Sequence, residues 1–296
     1  MTRWLRAHPV GGFVLLAFGI SYLVGIPALM LGSGLVPTRW SLAHTYLPRV
    51  GVTYGPAIAA LVLAWLTRAP DTPRGLLRGA LPRWRDLPLA AGILVVGTST
   101  SAAALLAAGV APADLVAAVR DHGGALAAHL VLQVAVIALG EEIGWRGWLL
   151  PTLAARTTRL RATLGVGAIW GLWHAPALLQ GAARGAMLLV GALGLSILFT
   201  ALWALADRRA FIAVLAHATV NTPMFFFEQA VGGGRQPDDR VVTAWYYLEA
   251  AYAAAAILVI MAGWRWWRSN EPARLPTTAP GPGFVAVSDT VAWKES

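Results

Sequence analysis

The chain has 296 residues, of which 57% are hydrophobic and only 12% charged, with a mean hydropathy of +0.62 and a formal net charge of +9. Ordinary soluble domains carry about 25% charged residues, so this composition excludes one and reads as an all-α polytopic membrane bundle. The absence of cysteine excludes disulfides, thiolate metal sites and cysteine nucleophiles, and an arginine excess gathered in one set of loops reads as positive-inside patterning rather than a nucleic-acid surface.

Crossing about 30 Å of hydrocarbon takes about 20 apolar residues. About eight windows qualify in chain order: 11–33, 52–67, 88–110, 125–149, 164–180, 186–206, 211–230 and 242–263. The first follows Arg3 and Arg6 without a small-residue cleavage site and reads as a signal anchor. The second and fifth are short, which implies tilt or re-entrance. Between the second and third, the basic segment Thr67–Pro88, interrupted by Pro70, Pro73, Pro82 and Pro88, reads as a connection holding a short interfacial helix over anionic headgroups. Trp264-Arg265-Trp266-Trp267-Arg268 closes the last window as an interfacial belt.

Residues 1–268 therefore form the transmembrane domain. Residues 269–296, rich in Pro, Thr, Ala and Gly without periodicity, read as a disordered tail. Alternate loops hold 14 arginines on one side and 6 on the other, which predicts a multi-pass protein of the cell membrane with both termini cytoplasmic. No internal repeat suggests the paired halves of a transporter.

Charged side chains at membrane depth cost between ~2.5 and ~17 kcal/mol, and Gly140-Glu141-Glu142-Ile143-Gly144-Trp145-Arg146-Gly147 places three late in the fourth window, close to its cytoplasmic end. Glu142 and Arg146 are i and i+4 and share a helix face, whereas Glu141 is rotated about 100° from Glu142. One reading is an interfacial ion-pair cluster. The other divides the work: Arg146 neutralises Glu142, and Glu141 stays available for chemistry. The fifth window carries Trp170 and His174 at i and i+4, followed by Pro176, which is expected to kink it. The seventh carries His217 and Asn221 at the same spacing.

A carboxylate, two imidazoles and an amide on three spans are the parts for activating a water and stabilising an oxyanion. Glu141, His174 and His217 are equally a donor set for one divalent metal such as zinc. His8, His44 and His122 fall in loops or at span ends. His129 reads as a structural hydrogen-bonding group, and Glu228 and Glu249 as solvated near an outer interface, with Glu249 also placed to face a polar cavity.

Taken in order, Glu141-Glu142 with Arg146, Trp170 to His174, and His217 to Asn221 resemble the motifs of the CPBP family, which comprises CAAX-type prenyl endopeptidases, abortive-infection proteins and bacteriocin self-immunity proteins. The motif-bearing core covers about residues 137–226. Tyr54–Ala60 is also similar to the family's proline-bearing second helix. The chain departs from the pattern at Trp170, where phenylalanine is more usual. An aromatic is kept, so packing is expected to change more than chemistry.

The resemblance implies an intramembrane endopeptidase acting on a membrane-associated protein or peptide among membrane lipids. Glu141 would be the general base, His174 would hold the water, His217 and Asn221 would line the oxyanion side, and Glu142, Arg146 and Trp170 would order the site. Metal-dependent and metal-free glutamate mechanisms are both compatible with it. The alternatives are a non-proteolytic member acting in immunity, scaffolding or partner binding, and a transporter or proton relay.

Overall fold

The computed structural model describes residues 2–25, 27, 46–67, 71–176, 181–231 and 238–269. Regular structure among them is helical throughout. In chain order the helices are α1 (Thr2–Ala7), α2 (Pro9–Ile20, continued by a π-helical turn Ser21–Gly25), α3 (Val50–Thr67), α4 (Pro73–Gly79), α5 (Leu87–Ala107), α6 (Pro112–Ala154), α7 (Arg159–Trp173), α8 (Ala182–Leu205), α9 (Ala210–Val231), α10 (Asp239–Ala262) and α11 (Trp264–Arg268). His44 and the tail from residue 270 lie outside the described residues, as does the end of the first window.

Six of these helices have the length and hydropathy of a span: α3, α5 with the 3₁₀ turn before it, α6, α8, α9 and α10. The chain is a multi-pass membrane protein, and large apolar side chains such as Leu15, Val95, Val96 and Leu258 stand more exposed than buried on its flanks. The first and fifth windows do not reach span length among the described residues. The first yields the 17 apolar residues Pro9–Gly25, and the fifth yields α7, whose 15 residues rise only about 22 Å. Pro176 does not kink α7. The helix has already ended at Trp173, with His174 as its cap.

Helix α6 positions the site. It runs for 43 residues, about 65 Å, with non-helical dihedrals at His122 (φ −130°, ψ 23°) that separate its first turns from the rest. Two π-helical stretches, Gln133–Ala138 and Ile143–Leu149, bracket a four-residue α-helical piece, Leu139–Glu142. Such π insertions weaken the backbone ladder and recur at functional sites. Here the carboxylate pair occupies the short segment between them.

Gly140 and Gly144, one turn apart, bring α6 against α3. A Cβ on Gly140 would stand 2.7 Å from the Thr53 carbonyl oxygen, and one on Gly144 would stand 2.5 Å from Pro56 Cβ. Small residues at this spacing are how membrane helices approach without a hydrophobic driving force. Phe13 of α2 stacks on Trp148 at 5.2 Å and meets Trp145 edge-on at 5.5 Å, closing the same layer.

On the other side of α6 lies α9, whose apolar window is 78% buried, making it the central helix. It packs on α5, α6, α8 and α10. Pro223 sits inside it. Thr219 and Thr222 instead hydrogen-bond the carbonyls four residues back, Leu215 and Ala218, which satisfies polar groups where lipid offers no partners.

Candidate active site

Glu141, Glu142 and Arg146 do not sit at a wet helix end. They are 3%, 0% and 0% exposed, and Glu141 lies thirteen residues, about 20 Å, before the end of α6. This rules out the interfacial ion-pair reading. Nη1 of Arg146 lies 2.9 Å from both oxygens of Glu142. Its Nε and Nη2 make no hydrogen bond. Instead the guanidinium lies over the rings of Trp170 and Phe199, at 4.8 and 5.1 Å from their centroids, a cation–π contact strengthened by exclusion of water.

Glu142 also orients the histidine of α9: Nδ1 of His217 donates to its Oε1 at 2.9 Å. A carboxylate only accepts, so Nδ1 carries the proton and Nε2 is the ring's remaining polar atom. His174, at the end of α7, donates from Nδ1 to the Trp170 carbonyl oxygen at 2.9 Å, which likewise leaves Nε2. The ring of Trp170 stands between the two imidazoles, edge-on to both, with centroids 5.9 Å from His174 and 5.4 Å from His217.

Trp170 does more than pack. Its indole Nε1–H donates to Oε2 of Glu141 at 2.7 Å, a contact that the expectation of more change in packing than in chemistry did not include. Phenylalanine has no donor to offer that carboxylate. The bond occupies Oε2 of Glu141 and leaves Oε1 open to another partner.

Gln133, the residue that sequence reasoning missed, is fully buried on the first π stretch. Its Oε1 accepts from Nδ2 of Asn221 at 3.4 Å. The amide of Asn221 is thereby held with its second N–H unused. The signal was a glutamine two turns before Glu141, but a lone amide in an apolar run does not stand out. His129 behaves as expected: its ring joins the Tyr46 hydroxyl at 2.8 Å and Gln229 Oε1 at 3.2 Å, as structural hydrogen bonding.

Glu141, Trp170, His174, His217 and Asn221 line one cavity of about 340 Å³. Its walls also include Arg49 ahead of α3, Arg184 in the first turn of α8, and Val242, Trp245, Tyr246 and Glu249 of α10. Glu249 is 6% exposed, which replaces the solvated-interface reading with the cavity reading. Its partner in that reading, Glu228, does not line the cavity.

The rim is built from the starts of α3, α8 and α10 and the ends of α7 and α9. The opposite ends carry the arginine-rich loops, tied together by Arg159 to Ser269 Oγ at 2.8 Å, Arg209 to the Leu81 carbonyl at 2.7 Å and Arg83 to Asp207 at 3.3 Å. The cavity thus lies towards the arginine-poor face, away from the loops assigned to the cytoplasm.

Among the described residues no three His, Asp or Glu side chains are grouped closely enough to hold a metal ion.

Fold and site together define a polytopic helical membrane protein with a buried Glu/His/Asn cavity. Residues 123–223 match the family model described as Type II CAAX prenyl endopeptidase Rce1-like. The match runs from the bend in α6 to Pro223 in α9 and contains Glu141, Glu142, Arg146, Trp170, His174, His217 and Asn221. It leaves α1–α5, α10 and α11 outside. A comparison with curated proteins finds no match.

Proposed function

We propose that this protein is an intramembrane endopeptidase that hydrolyses a peptide bond of a membrane-associated protein or peptide. The observation that carries the reading is the gathering of Glu141, His174, His217 and Asn221, from α6, α7 and α9, on one cavity within the segment matched by an endopeptidase family.

In this mechanism Oε1 of Glu141 takes a proton from a water whose other hydrogen is held by Nε2 of His174. The resulting hydroxide attacks the carbonyl carbon. The oxyanion accepts from the free N–H of Asn221, and from Nε2 of His217 when that ring carries its second proton. Glu141 then delivers its proton to the departing amine, which balances the step without a further reactant. Glu142 and Arg146 act through His217 and Trp170 and touch no reacting atom. No step passes through a metal.

The test is cleavage of a peptide library by purified protein and by Glu141→Ala and His174→Ala, with metal analysis of the same samples. The reading expects cleavage by the parent protein, loss of at least about a thousandfold in Glu141→Ala, and full activity without stoichiometric metal. Undiminished cleavage by either variant would remove that residue from the mechanism. Chelator-sensitive activity tracking bound metal would replace the glutamate-only scheme.

A further inference from the structure

Glu249 is an ionisable group the mechanism leaves unused. It is the eleventh residue of α10, about 15 Å along a 24-residue span, and therefore stands at membrane depth rather than at either interface. It lines the same cavity as Glu141 and is more than nine-tenths buried. Oε2 makes no hydrogen bond. Among the described residues every ion pair of an arginine or histidine goes to another carboxylate.

The surroundings make room for this carboxylate and, among the described residues, give it no ion-pair partner. It rests against the bare Cα of Gly191 on α8, where a methyl group would land on its oxygens. Trp245 and Tyr246 line the cavity one turn earlier on α10, and Leu188 and Leu195 line it from α8. An isolated buried carboxylate is costly until it is neutralised, by a proton or by a counter-charge. A carboxylate beside two aromatic side chains in an apolar cavity is the chemistry that recognises an alkylammonium or guanidinium group, through a charge-assisted hydrogen bond and cation–π contact. Arg184 is on the same wall, but it lies seven residues from Gly191, about 10 Å along α8, and makes no ion pair with Glu249 among the described residues.

We infer that Glu249, with Trp245 and Tyr246, forms a subsite for a basic side chain, lysine or arginine, of the polypeptide that occupies the cavity. The inference rests on the peptidase reading for the identity of its occupant. It places a specificity determinant on α10, outside the segment that matches the endopeptidase family.

The experiment pairs peptides identical except for lysine or norleucine at each position flanking the scissile bond, assayed with the full chain and with Glu249→Gln. At one position the parent protein is expected to favour lysine by about tenfold or more in kcat/KM, and Glu249→Gln is expected to bring that ratio close to one. The readout is a ratio, so a general loss of activity in the variant does not mimic the result. Absence of any lysine preference, or a preference that survives the substitution, overturns the inference.

A second measurement needs no turnover: n-butylammonium is expected to raise the melting temperature of the parent protein more than n-butanol does, and the difference is expected to vanish in Glu249→Gln. Equal effects of the two probes on the parent protein overturn the subsite. If no peptide is cleaved while the ammonium effect depends on Glu249, the peptidase reading fails and the cation site stands.

Discussion

Oε1 of Glu142 accepts from Nη1 of Arg146 and from Nδ1 of His217, each at 2.9 Å. One buried carboxylate therefore ties an arginine on its own helix to a histidine on α9. Removing it strands a guanidinium that is 0% exposed. Glu142→Ala is expected to cost about 3–5 kcal/mol, the usual penalty for breaking a buried pair from one side, read as a lowered melting temperature of detergent-purified protein. Glu142→Leu combined with Arg146→Met removes both charges and is expected to recover most of that loss. A double variant no more stable than Glu142→Ala alone would show that the pair's charges are not the source of the cost.

Trp170→Phe separates two roles of one residue. The ring contacts with His174, His217 and Arg146 survive, while the hydrogen bond to Glu141 is lost. A hydrogen bond to a charged group contributes about 1.5–3 kcal/mol, so peptide cleavage is expected to fall roughly tenfold to a hundredfold in kcat, with KM changed little. Unaltered kcat would return Trp170 to a packing role.

Gly140→Ala and Gly144→Ala each drive a methyl into α3. Helix separation or backbone shift is expected to cost about 1–3 kcal/mol per substitution, measured by thermal unfolding. Gly147→Ala is the control. Its Cβ would meet only Leu76 at 3.4 Å and the Glu142 carbonyl at 3.8 Å, and it is expected to be tolerated.

The chain's lack of cysteine makes sidedness directly measurable. With the arginine-rich loops cytoplasmic, Arg184→Cys at the cavity rim is expected to react with a membrane-impermeant maleimide in intact cells. Arg85→Cys, at a residue 57% exposed on the opposite face, is expected to react only after permeabilisation. The reverse pattern would mean that the loop-charge assignment of the faces is inverted.

Asp238 caps α10 by accepting from the Arg240 backbone N–H at 2.8 Å, and it pairs with the Arg240 side chain at 2.7 Å. Hydrogen bonding to that guanidinium holds its carboxyl below the usual carboxylate value. A depressed folded value means the cap stabilises above the usual range and is lost as pH falls through the folded value. Asp238→Ala is therefore expected to destabilise by about 1 kcal/mol at neutral pH, and the gap between variant and parent is expected to narrow as pH drops through and below 3.8, the carboxyl's ordinary value.

Much of the site was legible because helical spacing alone joins Glu142 to Arg146, and His217 to Asn221. Motif order then placed Glu141, His174 and His217 on separate helices. Three things were not legible. The Trp170 indole bond to Glu141 depends on the relative rotation of α6 and α7, which no one-dimensional pattern encodes. Gln133 is one polar residue in an apolar run, and its partner Asn221 is brought to it by the approach of α9. Helix ends were misjudged where hydropathy carries no signal: α6 begins earlier, at Pro112, and α7 stops before Pro176, because caps and proline geometry rather than apolarity set those limits.

The two π-helical stretches around Leu139–Glu142 have a consequence for how this site tolerates change in chain length. Each is the geometric equivalent of one inserted residue in an α-helix. A π stretch takes up such a residue locally. Deleting a residue within Gln133–Ala138 would therefore restore ordinary winding there and leave Glu141 facing Trp170 and the cavity. The same deletion in an unbroken α-helix would turn everything after it by about 100°. The phase of the helix, more than the identity of its neighbours, decides which of two adjacent carboxylates lines the cavity. A homologue one residue shorter in this stretch would lose the π turn and still keep Glu141 facing the cavity and Glu142 facing Arg146.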